Sequence, residues 1–229
     1  MSMQKTIMIG AVLLVAAMST SCTSTRQMRR TTTSGFLRDY SQLRTGRNDQ
    51  AQLVYIKPGV RWASYNKILI DPITVYAVPG NPLAKLPRDQ LNALAGYLHA
   101  TLGEQLSQHH QLVKEAGPGV LRLRVAITEA GAGKPVMGVI SSLTPPGLAL
   151  STLKTVATGQ GTGTGSARVE MELQDALTRQ RLAAGVDAQA GNKRDFFGNF
   201  NKWDDAQDAF DGWAVKLNKR LQELRAGSK

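Results

Sequence analysis

The chain has 229 residues, 42% of them apolar and 20% charged, with a formal net charge of +11 and one cysteine, Cys22. That length supports one domain with a real core, and a lone cysteine excludes a disulfide framework. The basic balance alone would suit nucleic acid, but only 6% of residues are aromatic, and no stacking stripe interleaves with the basic residues, which are scattered.

Taken in chain order, Lys5 precedes an apolar run at 7–18 (IMIGAVLLVAAM), and Ser19, Thr20 and Ser21 lead into Cys22. A dozen apolar residues are too few to cross a bilayer, which takes about 20, but they suit the h-region of an export signal. Small residues directly before a lone cysteine resemble a bacterial lipoprotein signal, in which that cysteine is acylated by palmitate-type chains and becomes the first mature residue. Ser19 departs from the aliphatic residue usual there. Ser19 and Ser21 also satisfy the ordinary small-x-small cleavage rule, but that cut would leave an unpaired thiol in an oxidising compartment. We therefore read 1–21 as signal peptide, Cys22 as the lipidation site, 22–34 as a flexible tether and 35–229 as one globular domain. Losing Lys5 with the signal takes the charge from +11 to +10. Export argues further against a nucleic-acid partner. No later segment is apolar and long enough for a membrane helix.

Residues 23–34 (TSTRQMRRTTTS) have no apolar period, and Arg26, Arg29 and Arg30 read either as solvated linker charge or as contacts to lipid phosphates. Phe36, Leu37, Tyr40 and Leu43 recur at helical spacing and predict a short helix or turn packed on the domain. Residues 53–59 read as an extended segment ending in a turn at Pro58-Gly59. The β-branched and aromatic stretch 65–78 reads as a strand that Pro72 bends or confines to an edge. Pro87 opens a helix to about Gln108, with Leu91, Leu94, Ala95, Leu98, Leu102 and Leu106 on one stripe.

Three alternating strands follow. Leu121, Leu123, Val125 and Ile127 oppose Arg122, Arg124 and Thr128. Ala167, Val169, Met171 and Leu173 oppose Arg168, Glu170, Glu172 and Gln174. Leu182, Ala184, Val186 and Ala188 form the third apolar set. The polar stretch 175–180 predicts a hairpin between the last two strands. A final helix, capped by Asp204 or Asp205, buries Ala206, Phe210, Trp213, Leu217, Leu221 and Leu224. The expected fold is α+β: a mixed, mainly antiparallel sheet of about four to five strands, with two main amphipathic helices packed on one face.

Three stretches are familiar: SGFLRDYSQL at 34–43, WASYNKILID at 62–71 and AFDGWA at 209–214. Together they resemble the DUF3313 family of bacterial lipoproteins, in order and over nearly the whole mature chain. Asp175-x-x-Thr178 also looks like that family's hairpin loop, except that Arg179 stands where Gly is common. The resemblance implies lipid anchoring and an envelope location. It carries over no catalytic residue, because the family has no established activity. In enteric-type sorting, Asp after the lipidated cysteine retains a protein in the inner membrane, so Thr23 implies the outer membrane, periplasmic side.

The chemistry-bearing residues are few. His99, His109 and His110 are the histidines, and with Cys22 acylated they are too few and too divergent for a zinc site. We expect cationic or exposed imidazoles at a helix end. No G-x-S-x-G elbow supports a hydrolase triad. The glycine repeat at 159–165 precedes a strand, where a phosphate loop would follow one, and reads as a hinge or bulge. Asp204, Asp205, Asp208 and Asp211 lack calcium-loop spacing and read as helix capping. No metal or cofactor is expected. The stretch 136–156 (VMGVISSLTPPGLALSTLKTV) is the most unusual. It is a long apolar connection between strands, and we read Val136, Met137, Val139, Ile140, Leu143, Leu148, Leu150 and Leu153 as an interaction surface.

The function expected from these readings is a non-enzymatic lipoprotein, anchored in the outer membrane through its N-terminal lipid, that binds or scaffolds an envelope protein partner. The alternatives are a carrier of a lipid or small apolar ligand that uses the 136–156 region and an enzyme acting on envelope polymers.

Overall fold

Leu94, Leu98, Leu102 and Leu106 are buried along α1 (Arg88–Ser107), as their four-residue spacing requires. The computed structural model describes residues 26–27, 33–76, 82–131, 166–190 and 204–227. The signal segment, Cys22, the glycine repeat at 159–165 and all eight residues read as an interaction surface within 136–156 lie outside these. Pro87 stands just before the helix, and its carbonyl accepts from the N–H of Leu91 at 3.1 Å.

The leucine stripe rests on a mixed sheet. Its strands are β1 (Arg26–Gln27), β2 (Arg44–Thr45), β3 (Leu53–Ile56), β4 (Lys67–Ile70), β5 (Thr74–Val75), β6 (Gln111–Leu112), β7 (Val120–Gly131), β8 (Ser166–Asp175) and β9 (Arg181–Ala190). The order is β2-β3-β9-β8-β7-β4-β6, with β1 also on β9 and β5 also on β7. The long strands β7, β8 and β9 pair antiparallel, whereas β4, β5 and β6 add in parallel. The expected α+β class holds, but the sheet has nine strands among the described residues, against four to five expected. Four of the nine are two residues long, too short to leave an alternating pattern in the sequence. Arg26–Gln27 also falls inside the stretch read as tether.

Pro72 divides the 65–78 stretch as expected. β4 and β5 both pair with β7, on either side of the proline. The second helix, α2 (Asp204–Gly227), buries Ala206, Ala209, Phe210, Trp213, Ala214 and Leu221. These join the α1 leucines, Trp62 and the apolar faces of β7 and β8 in one core. Both helices thus cover one face of the sheet.

The opposite face is covered too, by the segment whose apolar spacing predicts a turn packed on the domain. It is roofed by residues 34–43, whose Phe36, Leu37 and Leu43 form a second cluster with Ala126, Ala184 and Val186. The third apolar set is also split. Leu182 faces the helices, but a register shift near the start of β9 turns Ala184 and Val186 to the other side. The helix-side positions of β9 are therefore Ala183, Gly185 and Asp187, the register partners of Leu173, Met171 and Val169.

Candidate functional site

The face under residues 34–43 carries a buried ionic lattice. Glu170 is 0% exposed and Glu172 4%, which an unpartnered carboxylate could not sustain. Glu172 accepts from Arg124 at 2.5 Å, from Arg181 at 2.6 Å and from Gln174 at 3.0 Å. Arg181 also donates to the carbonyls of Leu37 and Asp39 at 2.6 and 2.7 Å, and Arg124 lies over the Phe36 ring at 4.9 Å. Glu170 accepts from the Tyr40 hydroxyl at 2.5 Å and from the Ser34 N–H at 2.6 Å. Burial, then the bond to Glu170, raises the Tyr40 pKa above the ordinary phenol value. Each oxygen of Glu170 and Glu172 accepts at least one hydrogen bond, and through Ser34, Tyr40 and Arg181 the lattice latches the 34–43 strap.

A similar economy governs the far end of the sheet. Asp175 caps the hairpin by accepting from the N–H groups of Leu177 and Thr178. Its other oxygen accepts from Tyr65 at 2.9 Å. The Thr178 backbone bond, foremost, lowers the Asp175 pKa, while burial followed by Asp175 pushes the Tyr65 phenol up to about 12. The hairpin lies at 175–180 as predicted, and Arg179 takes the left-handed φ of +61° that explains the family's usual glycine.

The open site lies on the helix side. Ala183 and Gly185 place little bulk on β9, so α2 crosses a gap that larger side chains would fill. The result is a half-open cavity of about 380 Å³. Its floor is Val169, Met171, Leu173 and Ala183, its roof Trp213, Leu217, Leu221 and Leu224, and β3 flanks one side with Val54 and Ile56. The mouth carries both signs. Lys216 lies 3.9 Å from Asp187, Arg220 pairs with Glu223 at 2.8 Å, and Lys219 and Asp49 stand alongside. Apolar walls with a few polar groups at the entrance are the usual make-up of a small-molecule site. A mouth of mixed charge accommodates a polar head while the walls select an apolar body.

The candidate residues of the sequence are dispersed. His99 and His109 are exposed, but His110 is 4% exposed, which corrects the expectation of a cationic or exposed imidazole. Its ring nitrogens have no hydrogen-bond partner among the described residues. Burial first, then the charge of Arg225 and His109, lowers its pKa. No group of three or more metal-ligating side chains converges among the described residues. Asp211, read as capping, instead accepts from Tyr97 at 3.0 Å and Thr101 at 3.3 Å, joining α1 to α2. The cleft itself escaped sequence reading. The third apolar set is buried as its alternation predicts, but it divides between the two faces, and only the adjacent Ala183-Ala184-Gly185 signals missing bulk on the helix side.

A family model described as "protein of unknown function (DUF3313)" matches residues 32–217. The uncharacterized lipoprotein YdcL of Escherichia coli K12 is 31% identical over 149 residues, which are 64% of this chain. The match spans 66% of that relative's own length. Among solved structures, a PelC dodecamer from Paraburkholderia phytofirmans is 13% identical at a TM-score of 0.40, over 74% of this chain and 95% of that one. Protein XCC0632 from Xanthomonas campestris is 9% identical at a TM-score of 0.41, over 74% and 90%.

Proposed function

The chain belongs to the DUF3313 family, and from that premise we propose that it is a membrane-anchored envelope lipoprotein whose domain binds an elongated apolar ligand of acyl-chain type. The observation that carries the reading is the apolar cleft of about 380 Å³ between β9 and α2. Anchoring is supported by Cys22 after the apolar run and by the lipoprotein relative. Thr23 favours the outer membrane, facing the periplasm. Binding without catalysis is supported by the lattice, whose carboxylates are all engaged, and by walls that offer the ligand hydrocarbon. The carrier reading moves from 136–156, where the sequence suggested it, to the cleft.

The test uses the Cys22→Ser chain, which keeps the whole domain and removes the lipid. Titration with the fluorescent fatty acid cis-parinaric acid should show saturable binding, lost in Ala183→Leu, which fills the floor. Equal binding by both chains, or none by either, would refute the cleft. A specific envelope protein crosslinked in cells, with no ligand bound, would restore the scaffolding reading.

A further inference from the structure

The short strand β1 fixes where the anchor can stand. Arg26 and Gln27 pair antiparallel with Ala190 and Gln189, at the last turn of the ladder on β9. From Cys22 to Arg26 is four residues, a reach of at most about 14 Å when fully extended. Were the chain first held at Ser34, whose N–H is bound by Glu170, the reach would be about 40 Å. Pairing of β1 thus shortens the leash about three-fold and attaches it at one particular end of the sheet. Gly131 and Ser166, which flank the connection containing the apolar sequence 136–156, are register partners at this same end. Arg26 ends this leash and Arg29 and Arg30 follow within four residues of it in sequence, a basic stretch complementary to anionic phospholipid head groups.

We infer that the domain stands on the bilayer with the Gly131–Ser166–Ala190 end of its sheet against the head groups and the 175–180 hairpin turned away. This rests on the lipid anchor at Cys22 proposed above, and it is independent of what the cleft binds. The partner is a phospholipid surface. β8 alone, at about 3.3 Å per residue, separates the two ends by about 30 Å.

Lipidation occupies the chain's one thiol, so an introduced cysteine takes a unique dye. Full-length lipidated Ser166→Cys and Leu177→Cys proteins, each donor-labelled, are reconstituted into phosphatidylethanolamine–phosphatidylglycerol vesicles containing an acceptor lipid. Energy transfer from position 166 should exceed that from 177 at least two-fold. The double change Arg26→Pro and Gln27→Pro, which deletes both β1 donors, should erase the difference while circular dichroism stays unchanged. Equal or reversed transfer in protein that is lipidated by mass spectrometry and floats with the vesicles would overturn the orientation alone. A persistent difference in the proline variant would overturn β1 as its cause. Protein whose Cys22 takes the dye and does not float would overturn the anchor itself.

Discussion

The indole N–H of Trp213 donates to Oδ2 of Asp187 at 2.8 Å, joining α2 to β9 at the wall of the cleft. Both residues are 3% exposed, and the second oxygen of Asp187 accepts from the N–H of Gln52 at 3.2 Å. One carboxylate therefore holds a helix, a strand and the approach to β3. Trp213→Phe keeps most of the apolar area and deletes the donor. It should cost about 1–3 kcal/mol in urea unfolding, as a buried group losing its partner does, and should weaken fatty-acid binding. Unchanged stability would show that the bond does not hold the roof.

The latch under residues 34–43 makes a second prediction. Tyr40→Phe leaves Glu170 buried with one donor fewer, so stability should fall by about 1–3 kcal/mol. Amide exchange should speed up in 34–43 more than in β8. Uniform acceleration across both would mean that the strap and the core open as one unit.

Glu172 sits between two guanidiniums, and its removal leaves both without their carboxylate. Glu172→Leu alone should destabilise by about 3 kcal/mol or more, whereas the triple change Arg124→Met, Glu172→Leu and Arg181→Met should recover most of that loss. Failure of the triple variant to recover would show that the tie from Arg181 to the carbonyls of Leu37 and Asp39 outweighs the ion pairs.

His110 predicts a pH dependence. Its folded-state pKa is depressed, so the unfolded chain binds the proton more readily. Its contribution to stability is present above the unfolded value of about 6.5. It fades as pH falls below that value and is gone once pH passes the folded value. Thermal melting between pH 7.5 and 5.5 should show this decline in the parent chain and a flatter profile in His110→Leu. Identical slopes would remove the imidazole from the account.

At the hairpin, Arg179 holds φ at +61°, where a side chain costs about 1–2 kcal/mol. Arg179→Gly should raise stability by about 0.5–1 kcal/mol after glycine's greater chain entropy is counted. Arg179→Val should lower it. The opposite order in denaturant midpoints would contradict the left-handed geometry.

Much of this architecture is legible in the residues themselves. The leucines of α1, the aromatic stripe of α2 and the alternation in β7 and β8 each follow the period of the element they form. The three stretches resembling the family prove to be structural. Residues 34–43 roof the lattice, 62–71 carry buried Trp62 and β4, and 209–214 seat α2. What escaped was non-local. Alternating Glu170 and Glu172 look like a solvated face until a segment 130 residues away covers them. The register shift near Leu182 divides one alternating set between two faces, so that Ala184 and Val186 pack under 34–43 while Ala183 and Gly185 line the cleft. Two-residue strands such as β1 have no period to read.

The most direct test is native mass spectrometry of the full-length protein purified from envelopes in mild detergent. The account predicts acylation at Cys22 and, beyond it, an apolar molecule of defined mass bound non-covalently, retained by the parent chain and absent from Ala183→Leu. An empty domain in both chains, or the same adduct on each, would contradict it.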